Sequence, residues 1–279
     1  MIVATRASKM NLSWYLIAPF VVLWKGRTLC ARLIGREVNL RYKGSVLGVL
    51  WSLLNPLALL AVFTFVFGIV MQARWGSAGE QKNFSLVIYS GLVLFIFLAD
   101  VVNRAPLLVL QNANYVKKVV FPLEMLSATS IGAALVNLLI SLGVLFLGQL
   151  WITGSIPWTW ALFPIVLVPF VIFNFGVVLF LSSLGVYLRD VAQLTGIAVT
   201  VLMYMSPILY PLSMVPLKFR ALLNLNPLTI PVNQLRELTL YGHMPDWIGL
   251  LYYSAVAYVV LVFGFWWFWR TKNGFADVV

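Results

Sequence analysis

The sequence predicts an all-α polytopic membrane protein. It has six transmembrane helices, an N-terminal amphipathic helix at the membrane interface and two re-entrant helices before the last span. Three observations predict this. The 279 residues are 62% hydrophobic and only 10% charged, whereas a soluble domain carries about a quarter charged residues. Apolar runs long enough to cross a bilayer of about 30 Å recur between short polar breaks. The basic residues gather at the ends of these runs, as positive-inside sorting demands. The formal charge of +11 is therefore a topology signal and not a nucleic-acid footprint.

Residues 1–45 form an interfacial N-terminal segment. Met10 to Trp24 is apolar but shorter than the roughly 20 residues a span needs. Pro19, Trp14, Tyr15 and Trp24 mark it as interfacial. No small-residue cleavage site follows, so it does not read as a signal peptide. Lys25 to Lys43 reads KGRTLCARLIGREVNLRYK. At 100° per residue Lys25, Arg32, Arg36 and Lys43 fall within about 40° of one another. Leu29, Leu33 and Leu40 lie beside them, while Arg27 and Arg41 interrupt the apolar arc. A basic helix of this kind lies in the headgroup layer. It either sets orientation or offers a surface to another subunit or an anionic substrate.

The spans follow in order. The first runs near Val46 to Met71, with Gly44 and Gly48 as a small-residue pair for close helix approach and Asn55-Pro56 as a kink. The second runs near Phe84 to Leu108. Asp100 and Arg104 share one face near its end, as a structural ion pair or as a transport-coupling carboxylate. The third covers about Leu123 to Leu150, followed by an uncharged, tryptophan-rich loop that suits an outer interface. The fourth covers Ala161 to Leu188 and turns at Arg189-Asp190 into the fifth, which ends in SPILYP at Pro207 and Pro211. Residues 212–246 are too apolar for a loop and too broken to span. Pro216 opens one short helix; Asn226 and Pro227 open a second, closed by Gly242. Irregular backbone at membrane depth needs protein or a watery cavity around it. The sixth span runs from Trp247 to Trp269.

With residues 1–45 inside, the outer segments hold only Arg74, Lys82, Lys218, Arg220 and Arg236, and both termini are cytoplasmic. The single cysteine, Cys30, forms no internal disulfide. The single histidine, His243, has no ligand cluster around it. There is no GxxxxGK[ST], no HExxH and no chain of intramembrane ionisable groups to drive a carrier. An ATP-hydrolysing partner is the expected energy source. Its docking piece is the inner segment from Gln111, with Asn112, Asn114, Tyr115, Lys117 and Lys118.

Two runs, REVNLRYKGSVLGVLWSLLNPLALLAVFTFVF and YLRDVAQLTGIAVTVLMYMSPILYPLSMVP with LNLNPLT, resemble the membrane subunit of type-2 ABC exporters of polysaccharides and polyol phosphates. The resemblance covers about Arg36 to Tyr241, most of the chain, and leaves out Met1 to Trp24. It implies a homodimer of six-helix subunits in the cytoplasmic (inner) membrane with two nucleotide-binding subunits below. ATP and magnesium are expected on those partners, and no cofactor on this chain. It equates Lys25 to Lys43 with a gate helix, residues 111–120 with a coupling helix, and Val215 to Tyr241 with two re-entrant helices. The whole chain, 1–279, is then one transmembrane domain with its six-helix bundle at 46–270.

The implied substrate is an undecaprenyl-pyrophosphate-linked glycan, with O-antigen foremost and teichoic acid, capsule or a small lipid or drug as alternatives. Lys25, Arg32, Arg36, Arg41 and Lys43 are the cations that attract the pyrophosphate. Trp51, Phe63, Phe67, Tyr204 and Tyr210 lie on the first and fifth spans, which the family places at the dimer channel. Each ring either stacks on sugar there or packs against core and lipid. A membrane enzyme acting on lipid-linked sugars is the reading from another class; its acids would be Asp100, Glu124 and Asp190.

Overall fold

The computed structural model describes residues 12–41, 43–70, 84–117, 121–211 and 214–278, and among these every regular element is helical. The elements are α1 (Leu12–Lys25), α2 (Arg27–Arg41), α3 (Trp51–Phe63, continued by a π-helical stretch Thr64–Val70), α4 (Phe84–Arg104), α5 (Ala113–Val116) and α6 (Glu124–Thr153). They continue with α7 (Phe163–Tyr187), α8 (Val191–Tyr204), α9 (Leu217–Asn224), α10 (Thr229–Arg236, then a π-helical Glu237–Tyr241), α11 (Trp247–Thr271) and α12 (Phe275–Val278).

Four helical stretches are long and apolar enough to cross a membrane: Phe84–Leu107, Glu124–Thr153, Trp158–Tyr187 and Trp247–Val278. They make this a multi-pass membrane protein. The first and fifth expected spans fall instead on shorter apolar helices, Trp51–Val66 and Val191–Tyr204. The 14 residues of α8 rise only about 21 Å. Regular hydrogen bonding stops at Tyr204, before Pro207, because proline denies the helix its donor.

Helix α4 is the centre. Leu86, Ile88, Leu94 and Val101 are fully buried, and α6, α7, α8 and α10 all pack on it. The broadest contact joins α7 to α11. There the backbones touch: a Cβ on Gly264 would lie 2.1 Å from the Gly176 carbonyl oxygen, and one on Gly176 would lie 2.6 Å from the Leu261 nitrogen. A further close approach sets Gly185 against the backbone of Pro106.

Three expectations change. Gly44 and Gly48 pack against no helix among the described residues. Both sit before α3 with φ of 86° and 51° and have nothing within 4 Å of a Cβ position, so their role is a left-handed turn. The contact expected from that pair is made by Gly176 and Gly264. The basic segment is not one helix: α1 ends at Lys25, Gly26 turns, α2 ends at Arg41, and Lys43 lies in the turn beyond. The second span loses α-helical form at Arg104, where Ala105–Leu107 tighten to a 3-10 turn around Pro106.

The short helices start and stop as their residues dictate. Pro216 caps α9. The Asn226 side chain accepts from the Leu228 amide at 2.9 Å just before α10. Gly242, at φ 71°, closes the π-helical end.

Replacing Gly264 by Val is expected to lower stability by about 3 kcal/mol, the upper end for overpacking, because the backbone of α7 cannot recede as a side chain would. Gly35→Ala, in an open position of α2, should be neutral or stabilising by up to about 1 kcal/mol. Thermal midpoints of the detergent-purified variants check both.

Candidate functional site

The charged side chains that sequence spacing left scattered are collected at one end of the bundle, where α2 lies on α6 and meets the end of α4. Helix α2 has no fully buried residue, so its docking rests on a few contacts. Ile34 fills the space that Gly132 leaves. Cys30 is half-buried against Thr129, and burial pushes its thiol above the usual range while the Thr129 hydroxyl opposes that shift.

Asp100 is the node. One carboxylate oxygen takes Arg41 Nη1 at 2.7 Å, and the other takes Arg104 Nε at 2.7 Å. Glu37 of α2 stands 3.7 Å from Arg104 Nη1. Two cations and two anions therefore neutralise one another across α2 and α4. The Arg41 side chain is 9% exposed and Arg104 46%, so the inner pair is desolvated and the outer one is not. The i,i+4 pairing of Asp100 with Arg104 was readable from spacing. The partnership of each with α2 was not.

The expected docking segment lies just beyond. Asn112 donates to the Leu108 carbonyl at 2.9 Å. Asn114 and Lys117 are exposed. The Tyr115 ring stacks on Phe121 with centroids 4.4 Å apart, and its hydroxyl accepts from Arg36 Nη1 at 2.8 Å. Lys118 lies outside the described residues. Of the other cations, Lys25, Arg32 and Lys43 are exposed. The structure thus divides the five basic residues: Arg41 is neutralised, Arg36 is tied to Tyr115, and three face outward.

Two adjoining cavities, of about 320 and 270 Å³, run along α4 from this cluster. Arg41, Asp100 and Arg104 line the first, Trp51, Asn55 and Tyr89 the second, and Asn137 and Ser141 both. Trp51 is 40% exposed and donates to Ser45 Oγ at 2.9 Å. Phe63 is half-buried against the core. The Phe67 side chain lies outside the described residues. Tyr204 is 63% exposed, and its carbonyl accepts from the Tyr210 hydroxyl at 2.6 Å. Of the described rings among these, Trp51 alone lines either cavity.

The three acids of the enzyme reading do not converge. Asp100 is held by two arginines, Glu124 by Lys272 at 2.8 Å, and Asp190 is exposed in the turn before α8. Among the described residues no three His, Cys, Asp or Glu side chains group as metal ligands. His243 has one carboxylate partner, Glu237, at 2.7 Å.

Sequence reasoning missed Arg236, which it counted among outer-loop charges. At the opposite end of α4 this side chain is 3% exposed. It donates to the carbonyls of Val87 (3.0 Å), Pro207 (2.5 Å) and Ile208 (3.1 Å). It therefore fastens α10 to α4 and to the broken chain after α8, whose terminal carbonyls lack helical partners. Gly91 keeps its place open: a Cβ there would meet Arg236 Nη2 at 2.9 Å. The available signal was periodicity, since Arg236 shares a helical face with buried Val232 and Thr239.

The described residues thus form a multi-pass helical bundle with an ion-paired surface helix. The chain belongs to the ABC-2 type transporter family, whose profile matches residues 28–240. It is 28% identical over 247 residues, 88% of this chain and 92% of the relative, to the O-antigen export system permease protein RfbA of Klebsiella pneumoniae. It is 28% identical over 243 residues (86% and 90%) to the RfbA protein of Myxococcus xanthus. It is 26% identical over 243 residues (82% and 88%) to the polysialic acid transport protein KpsM of Escherichia coli.

Asp100→Ala leaves the Arg41 guanidinium buried and unpaired, with an expected cost of about 3–5 kcal/mol. Arg104→Ala removes a largely solvated pair and should cost about 1 kcal/mol or less. Undocking of α2 in the Asp100 variant brings the Cys30 thiol down toward its ordinary range, so more thiolate is present at pH 8. Its alkylation should then speed up roughly threefold or more. Thermal midpoints and maleimide labelling of the single-cysteine chain read both effects.

Proposed function

We propose that this chain is the membrane subunit of an ATP-driven exporter that moves a lipid-linked polysaccharide, foremost an O-antigen, across the cytoplasmic membrane as a homodimer. The observation that carries the reading is the contact of Arg36 on α2 with Tyr115 in the segment before α6. It joins a basic interfacial helix to the short polar loop best suited to meet a soluble subunit, and both lie within the family match. The relatives named above, an O-antigen permease and a polysialic acid transporter, support the substrate class.

In this reading α3, α4, α6, α7, α8 and α11 are the six spans, and both termini are cytoplasmic. Helices α9 and α10 dip back into the outer half of the bilayer. The protein-satisfied Arg236 supports that placement, because an arginine at a watery surface does not need three backbone carbonyls. The nucleotide-binding partner engages Asn112, Asn114, Tyr115, Lys117 and Lys118 and carries ATP and magnesium itself. Lys25, Arg32 and Lys43 supply the outward positive face that draws in the pyrophosphate. Arg36 and Arg41 act there chiefly by holding α2 in place, being already engaged. Trp51 opens onto the groove beside α4, and the exposed Tyr204 lies on α8, the other channel helix.

A photo-crosslinker at Lys117 is expected to capture an ABC ATPase in cells that produce both proteins, and ATP hydrolysis should appear only in the joint complex. Deleting the gene should remove surface polysaccharide. Hydrolysis by the purified chain alone would overturn the reading; intact surface glycan in the deletion strain would replace it with a drug or small-lipid exporter.

A further inference from the structure

The segment expected to meet the ATPase is suspended between two ionic anchors, and the second involves parts of the chain that the family match leaves out. Before the segment, Asp100 and Arg104 of α4 are bound to α2. After it, α6 begins at Glu124, whose side chain is 4% exposed and is paired at 2.8 Å with Lys272. Lys272 Nζ also lies 3.2 Å from the centre of the Trp269 ring. Trp269 in turn receives the edge of Trp14 of α1 with centroids 4.9 Å apart.

Helix α1 is held along its length. The Leu16 carbonyl accepts from the Tyr258 hydroxyl at 3.0 Å, and Ala18 is 1% exposed. The elbow at Gly26 presses on the residue after Glu124: a Cβ on Gly26 would lie 2.6 Å from Met125 Sδ. The other flank is closed as well. Thr271 pairs with Ser183 at 2.6 Å, its carbonyl accepts from Tyr187 at 2.7 Å, and Phe275 is fully buried.

We propose that α1, Trp269 and Lys272 form a buttress that fixes the start of α6 at Glu124. Movement of the 111–117 segment is then delivered to α4 and α2 and is not lost at α6. The two anchors differ in the way this needs. The Glu124–Lys272 pair, 4% and 22% exposed, has the Trp269 ring over its cation, whereas the other anchor adds to Arg41–Asp100 the solvated Arg104 and Glu37, 46% and 38% exposed. The Glu124 pair is the stiff bearing, and Arg104–Glu37 is the part of the other anchor that yields. Trp14 and Lys272 are positioning residues here, touching neither substrate nor nucleotide. They also give residues 12–25, outside both the resemblance and the family match, a mechanical task.

The proposal rests on the exporter reading, and the test separates the two. Lys272→Met, Lys272→Arg and Trp14→Ala chains, compared at equal membrane levels, are assayed for surface polysaccharide in cells. They are assayed for MgATP hydrolysis as purified complexes with the ATPase. Lys272→Met and Trp14→Ala are expected to hydrolyse ATP within about twofold of wild type while exporting about tenfold less. Lys272→Arg should retain export, since it keeps both the ion pair and the ring contact. Normal export in Lys272→Met and Trp14→Ala, or hydrolysis and export falling in proportion, would overturn the buttress. If Lys272→Met fails to accumulate, Trp14→Ala decides the matter. If the wild-type complex does not hydrolyse ATP, the exporter reading fails and Cys30 alkylation judges the buttress alone. Trp14→Ala accelerates labelling roughly threefold if α1 holds the elbow of α2 against α6, and leaves it unchanged if it does not.

Discussion

Much of this architecture depends on one carboxylate. At the end of the most buried helix Asp100 takes a cation on each carboxylate oxygen, Arg41 on one and Arg104 on the other. Arg104 comes from its own helix and reaches α2 only through the solvated Glu37. Arg41 comes from α2, and its recruitment ties a surface helix with no fully buried residue to the core. Desolvation makes the arrangement intolerant: either charge alone is costly, and the two together are affordable only in this geometry. Net neutrality of this cluster also leaves Lys25, Arg32 and Lys43 as exposed cations outside it.

The all-helical plan and four of the expected spans were legible in the sequence because long apolar runs carry their own signal. The tight Arg189-Asp190 turn, and Pro216 and Gly242 at the edges of short helices, are local signals of the same kind. Contacts between distant elements carry no such signal. Gly44 and Gly48 had the spacing of a packing motif but sit in left-handed turns, while Gly176 and Gly264, on helices far apart in the chain, make the close approach. The basic face counted on the wheel was real as a count. Nothing local said that Arg41 would be neutralised, that Gly26 would leave the space that Met125 fills, or that Tyr115 would receive Arg36.

Arg236 and Asp100 show two ways of keeping a charge inside an apolar bundle. Asp100 uses opposite charges. Arg236 uses the carbonyl dipoles of Pro207 and Ile208 beyond the end of α8, with that of Val87 in α4, so the break at Pro207 supplies acceptors that a continuous helix would have consumed. The irregular backbone after α8 and the buried cation on α10 are two halves of one solution. Neither is sensible without the other, and both lie far from the ionic cluster on α2.

The brevity of α8 has its own consequence. Its rise of about 21 Å falls well short of a hydrocarbon layer of about 30 Å. In the proposed six-span reading the chain that follows α8 would then carry polar groups below the headgroup plane. Along the face that α8 lines, the distance a hydrophilic polymer travels out of contact with water would be shortened before any gate moves.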